Sequence, residues 1–343
     1  MGELVAQIPG LWGLITSVVL LVAGLALLVG FGDYLVTGAV KLAARLRIPV
    51  FFIGLTIVAF GTSAPELFVA IKAALEGSDG VVYGNVVGSN ICNILLVLGL
   101  PALLFTISAE EENLTVGTLL MLASTVVFVV MALPDKRITF LEAGILLALL
   151  AAFLAYSATR AGDGGQDDEV EDLASADMPF GLAETVPMMV LVILGAAAGL
   201  ALGAELTVSQ AILLSSRIPG VSQEVVGLTV IALGTSLPEL SCTIAAARRK
   251  EFSVGFGNIL GSNIFNIHAI AGIATLFTAN GLIFPPMDSV GHTLEADLVI
   301  LIAASSLASF YIVGKNPNID RLSGLLLFSC YLIYLFYLVA PVL

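Results

Sequence analysis

The 343-residue chain is 59% apolar and only 11% charged, with a mean hydropathy of +1.07, a composition that excludes a soluble globular domain and puts the chain in a lipid bilayer. Its formal net charge of −13 gives no reason to expect a nucleic-acid partner. The cysteines Cys92, Cys242 and Cys330 all fall in apolar stretches without CxxC spacing, so inert buried thiols are expected in place of disulfides or metal ligands.

A helix needs about 20 mostly apolar residues to cross a bilayer. Ten stretches qualify, centred near 12–36, 50–74, 81–105, 114–133, 138–159, 186–210, 222–247, 254–279, 294–313 and 322–342. The first has no Lys or Arg before it and no small-residue cleavage site, so it reads as a retained helix. With the N-terminus outside, the loops after spans 1, 3, 5, 7 and 9 face inward. They hold Lys41, Arg45, Arg47, Arg160, Arg248, Arg249, Lys250, Lys315 and Arg321, nine of the thirteen basic residues. That bias predicts a multi-pass protein of the cell (inner) membrane with both termini outside. Between spans 5 and 6, residues 161–177 carry Asp163, Asp167, Asp168, Glu169, Glu171, Asp172 and Asp177 without apolar periodicity or EF-hand spacing. The stretch reads as a solvated cytoplasmic linker. It divides the chain into two five-span halves, 1–160 and 178–343.

Residues 54–100 recur without a gap as residues 227–273, with 23 of 47 positions identical at an offset of 173. GLTIVAFGTSAPEL matches GLTVIALGTSLPEL, and GNVVGSNICNI matches GNILGSNIFNI. Each half has an odd number of spans, so the second copy enters the membrane from the opposite side. The expected fold is therefore an all-α membrane protein of ten transmembrane helices, arranged as two inverted five-helix repeats with helices 2 and 7 broken.

The repeated residues are polar groups in hydrocarbon surroundings. Glu66 and Glu239 lie near the middle of their spans, where an unpaired carboxylate costs about 2.5 kcal/mol or more. No basic residue repeats beside them, since Lys72 is replaced by Ala245 in the second copy. A bound cation or a proton is the simplest counter-charge. Pro65 and Pro238 lack an N–H and deprive the carbonyls of Gly61 and Gly234 of their helical partners, which opens backbone oxygens to coordination. Thr62 and Ser63, with Thr235 and Ser236, lie on the carboxylate's side of the helix. Asn85, Ser89 and Asn93 form a stripe repeated as Asn258, Ser262 and Asn266, and the GxxxG pairs Gly84/Gly88 and Gly257/Gly261 permit close helix approach. An all-oxygen set suits Ca2+ or Na+ and disfavours Zn2+ or Cu+. Interhelical packing accounts for the glycines, but it leaves two midspan glutamates beside helix breaks unexplained. Asn90 and Asn263 point off the stripe and divide between structural and functional readings, while His268 has no twin and reads as structural.

At these residues the chain resembles the cation/Ca2+ exchanger superfamily, specifically its sodium/calcium exchanger branch with the prokaryotic calcium/sodium antiporters. GTSAPE and GTSLPE, each followed by GNxxGSNxxN, carry the likeness, which extends over essentially the whole chain. The resemblance implies that Glu66 and Glu239 are central ligands shared by Ca2+ and Na+, with Thr62 and Thr235 at the Ca2+ site. The carbonyls of Ala59 and Ala232, with Ser63, Ser236, Ser89 and Ser262, would complete flanking Na+ sites, and Asn93 and Asn266 match the remaining central pair. Proton-coupled relatives carry GNxxE in place of GTSxPE, so Na+ coupling is implied. Potassium-dependent relatives have Asp where Asn266 stands, so K+ dependence is not. The expectation is a Na+/Ca2+ antiporter without a resident cofactor, working as a monomer in the lipid bilayer and exporting Ca2+ by alternating access. An H+/Ca2+ antiporter and a cation channel are the alternatives. A serine hydrolase built on Ser63 or Ser236 lacks a matching base.

Overall fold

The structure is a computed structural model that describes residues 10–108, 112–163, 178, 181–215, 232–284, 294–313 and 318–340. The acidic stretch 164–177 and the first part of the seventh expected span, residues 216–231, lie outside the described residues. Helices α1 (Gly10–Leu46), α2 (Val50–Thr62), α3 (Ala64–Leu75), α4 (Asp79–Leu104), α5 (Glu112–Asp135) and α6 (Phe140–Asp163) carry the first half. The second half contains α7 (Val186–Ser215), α8 (Ala232–Thr235), α9 (Leu237–Arg248), α10 (Phe252–Leu276), α11 (Leu294–Val313) and α12 (Arg321–Val339). Among the described residues eight helices are long and apolar enough to span a membrane by themselves, and α2 with α3, bent by 44°, is a ninth if the pair is taken as one broken span. The chain is a helical, multi-pass membrane protein.

Helix α1 runs ten residues past the expected end of the first span. Lys41 does not terminate it because its ammonium is buried and paired with the Glu184 carboxylate. The flanking Ala39, Val40, Leu42 and Ala43 stay in the core, and the helix stops at Arg47, whose φ is +58°. Small residues let α1 and α7 lie backbone to backbone: a Cβ on Gly24 would sit 2.9 Å from the Gly203 carbonyl oxygen, and one on Gly203 would sit 3.0 Å from that of Gly24. These two helices, with the adjoining faces of α2 and α9, bury their own apolar cluster around Leu35, Leu42, Ile193 and Leu200. A second, larger cluster unites α2 to α6 with α10 to α12.

Two short antiparallel ribbons tie the halves together. β1 (Ile107–Ser108), after α4, pairs with β4 (Asn318–Ile319), between α11 and α12. Reciprocally, β3 (Leu282–Ile283), after α10, pairs with β2 (Arg137–Ile138), between α5 and α6. The motif turns also repeat. The chain takes a positive φ at Gly77 (+69°) after α3 and at its twin Lys250 (+63°) after α9. Glycine adopts that conformation without strain, whereas lysine does not.

Candidate cation site

Both helix breaks fall on a serine. Ser63 (φ −86°, ψ 3°) separates α2 from α3, and Ser236 (φ −89°, ψ 5°) separates α8 from α9. The prolines then sit in the first turn of α3 and α9, where a missing N–H costs nothing and φ is already helical. This places Glu66 and Glu239 in the first turns of those half-helices, with unpaired N–H groups and the positive end of the helix dipole beside each carboxylate. Glu66 and Glu239 are each only 1% exposed.

The halves interlock around these carboxylates. The short turn Ala59–Thr62 packs on α10, and α8 packs on α4, so each broken helix meets the stripe of the other copy. Ser63 Oγ donates to Glu239 Oε1 at 3.1 Å, and Ser262 Oγ donates to the same oxygen at 3.4 Å. Thr62 Oγ1 lies 3.4 Å from Ser262 Oγ, 3.0 Å from Asn258 Oδ1 and 3.2 Å from the Ala59 carbonyl oxygen. On the opposite side Thr235 Oγ1 lies 3.4 Å from Ser89 Oγ. Asn93 and Asn266 each open a π-helical turn, Asn93–Val97 and Asn266–Ile270, that packs against α9 and α3 respectively. A π-turn widens the helix, and such turns concentrate at functional sites.

The expected ligands are therefore gathered into one buried cluster, but unequally. Glu239 accepts two hydroxyls, whereas the Glu66 carboxylate accepts no side-chain hydrogen bond among the described residues. Glu66 Oε2, Glu239 Oε2, Asn93 Oδ1 and both polar atoms of the Asn266 amide are buried without a hydrogen-bond partner among the described residues. Orphaned oxygens from two carboxylates and two amides, with no ammonium or guanidinium among them, fit a hard cation. The Ala59 carbonyl accepts from Ser63 N at 3.0 Å as well as from Thr62, while Ala232 opens α8. Ser236 lies in the break, 1% exposed.

Residues outside the expected ligand set also find places. Lys72 is exposed and reaches only Glu76, at 4.0 Å. His268 Nε2 lies 2.8 Å from Ser124 Oγ, a packing contact. Asn90 and Asn263 donate to carbonyls of their own helices, Val86 at 2.6 Å and Ile259 at 2.8 Å. Asn85 and Asn258, on the stripe but outside the expected ligands, donate to the carbonyls of Glu66 (2.9 Å) and Glu239 (3.3 Å). Each thereby fastens a glutamate-bearing half-helix to its neighbour. The signal for that role was in the chain: both asparagines follow their glutamate by 19 residues. Gly257 and Gly261 mediate close approach, their added Cβ atoms meeting Phe51 O at 2.6 Å and Leu55 O at 2.3 Å, while residues 224–228, the equivalent segment for Gly84 and Gly88, lie outside the described residues.

The chain is similar to known proteins over most of its length. The sodium/calcium exchanger protein family matches residues 16–159 and 188–340, on either side of the acidic stretch. Putative antiporter CaxA of Alkalimonas amylolytica is 33% identical over 321 residues, covering 94% of this chain and 98% of that protein. Sodium/calcium exchanger MaX1 of Methanosarcina acetivorans is 32% identical, covering 93% and 98%. Among solved structures, the sodium-calcium exchanger NCX_Mj soaked with Na+ and Sr2+ superimposes with a TM-score of 0.77 at 28% identity, over 93% of this chain and 97% of that one. With two segments that together span most of its length, the chain belongs to the sodium/calcium exchanger protein family.

Proposed function

We propose that this chain is a secondary antiporter that admits Na+ down its gradient and extrudes Ca2+ from the cytoplasm, both ions competing for the oxygens around Glu66 and Glu239. One observation carries the reading: two buried carboxylates, contributed by two copies of one motif and joined through Ser63, have no basic partner among the described residues. The ligands are Glu66, Glu239, Thr62, Thr235, Ser63, Ser236, Ser89, Ser262, Asn93 and Asn266, with the carbonyls of Ala59 and Ala232. Two carboxylates neutralise one Ca2+, and several Na+ ions spread over the same oxygens do likewise. A half-filled site leaves carboxylate charge uncompensated in low dielectric and opposes the change of state, which couples the two fluxes.

Ten spans in two inverted halves, 1–160 and 178–343 about the linker 161–177, supply the alternating access. The reciprocal ribbons and twin helix breaks support that arrangement. Helices α1 and α7, locked to each other through Gly24 and Gly203, slide as a unit against the rest. Loop charge puts the contact of α2 with Gly257 and Gly261 on the cytoplasmic side, so the inner side is closed there. Asp33 on α1 reinforces the inner closure through Arg248 (3.6 Å) and Arg249 (3.4 Å) at the end of α9.

Uptake of radiolabelled Ca2+ into proteoliposomes tests the coupling. An outward Na+ gradient drives uptake and a pH gradient alone does not. Uptake driven by pH alone would assign the protein to proton exchange, and flux without any counter-ion would make it a channel.

A further inference from the structure

The two motif copies carry the same hydrogen-bonding residues, but only one copy has its threonine-to-asparagine bond across the repeats made. Asn258 is fully buried and engaged at both ends of its carboxamide. Its Nδ2 donates to the Glu239 carbonyl at 3.3 Å and to the Thr243 hydroxyl at 3.4 Å, while its Oδ1 accepts from Thr62 of the other repeat at 3.0 Å. Its twin Asn85 is partly exposed and fastens the Glu66 carbonyl at 2.9 Å, but its Oδ1 is buried without a partner. Thr235, the twin of Thr62, keeps only the serine contact, lying 3.4 Å from Ser89 as Thr62 lies 3.4 Å from Ser262. The serines differ as well: Ser63 and Ser262 reach Glu239, and the equivalent bonds from Ser236 and Ser89 to Glu66 are not made.

We infer that the threonine-to-asparagine hydrogen bond across the repeats is a latch made on one side at a time. Thr62 on Asn258 holds the side between α2 and α10 shut. When that side opens, Thr235 reaches Asn85 Oδ1 beside Ser89, as Thr62 reaches Asn258 beside Ser262, and holds α8 to α4. The physical basis is the orphaned acceptor. A buried amide oxygen left unsatisfied is costly, and the twin pair shows how this one is satisfied. Asn85 and Asn258 are thus positioning residues: the amide nitrogen fixes the glutamate-bearing half-helix, and the amide oxygen selects the state. The inference rests on the antiport reading for its two-sided access, not for the identity of the ions.

Hydrogen–deuterium exchange of the full chain in lipid nanodiscs, without Na+ or Ca2+, tests it. Removing the made latch, by Asn258→Leu or Thr62→Val, raises exchange across residues 50–59 and 252–261. Removing the unmade latch, by Asn85→Leu or Thr235→Val, lowers exchange across the same residues. Each shift is about fivefold, the effect of one buried hydrogen bond on a two-state ratio. If a leucine variant fails to fold, the near-isosteric valine variant of its partner reads the same latch. A packing role for the asparagines loosens the protein with the same sign in both copies, so shifts of one sign, or none, overturn the latch. Because no flux is read, the opposite-signed result survives even if Na+-driven Ca2+ uptake fails.

Discussion

Around Glu239 the hydroxyls of Ser63 and Ser262 and both ends of the Asn258 amide are engaged, whereas among the described residues the Glu66 carboxylate accepts no hydroxyl and Asn85 Oδ1 has no partner. The two stretches share the pattern GNxxGSNxxN. On the proposed alternating-access reading the difference belongs to the state of the molecule, and exchanging the two bonding patterns turns the site to the other side of the membrane.

Substituting equivalent positions in the two copies breaks or sharpens that comparison. The largest effect is expected at the glycines. Gly261→Ala puts a Cβ 2.3 Å from the Leu55 carbonyl oxygen, a backbone atom that cannot swing aside, and should lower stability by about 1–3 kcal/mol. Gly88→Ala meets no atom within 4 Å among the described residues and should raise stability by about 0.5–1 kcal/mol through helix propensity. Thermal unfolding in detergent, followed by circular dichroism, reads both; equal losses would mean that the copies are packed alike. A smaller difference is expected at the breaks. Ser63→Ala removes a donor to Glu239 and should cost about 1 kcal/mol in cation-free protein, more than Ser236→Ala. Melting points that rank these two in reverse would place the closed side at the wrong copy. The smallest is at the turns. Lys250→Gly relieves a left-handed lysine and should gain up to about 1 kcal/mol, while Gly77→Lys should lose a similar amount.

Much of the site was legible in the chain because burying a carboxylate or breaking a helix at membrane depth is expensive. Glu66, Glu239 and their prolines stand out against hydrocarbon for that reason, and repetition at a fixed offset places their neighbours. What the residues alone did not reveal depends on partners distant in the chain. Lys41 looked like the end of a span, but its carboxylate, Glu184, is 143 residues away, so α1 continues. Asn85 and Asn258 stood on the polar stripe without an assigned role. Only the fold brings their amide nitrogens to the glutamate carbonyls.

Equilibrium Ca2+ binding to the purified chain in Na+-free detergent most directly tests the central claim, that two motif copies build one shared site. One Ca2+ per chain is expected, displaced by Na+ and lost in both Glu66→Gln and Glu239→Gln. Two Ca2+ per chain, or either single variant binding Ca2+ as tightly as the parent, would contradict a shared site and make each motif a site of its own.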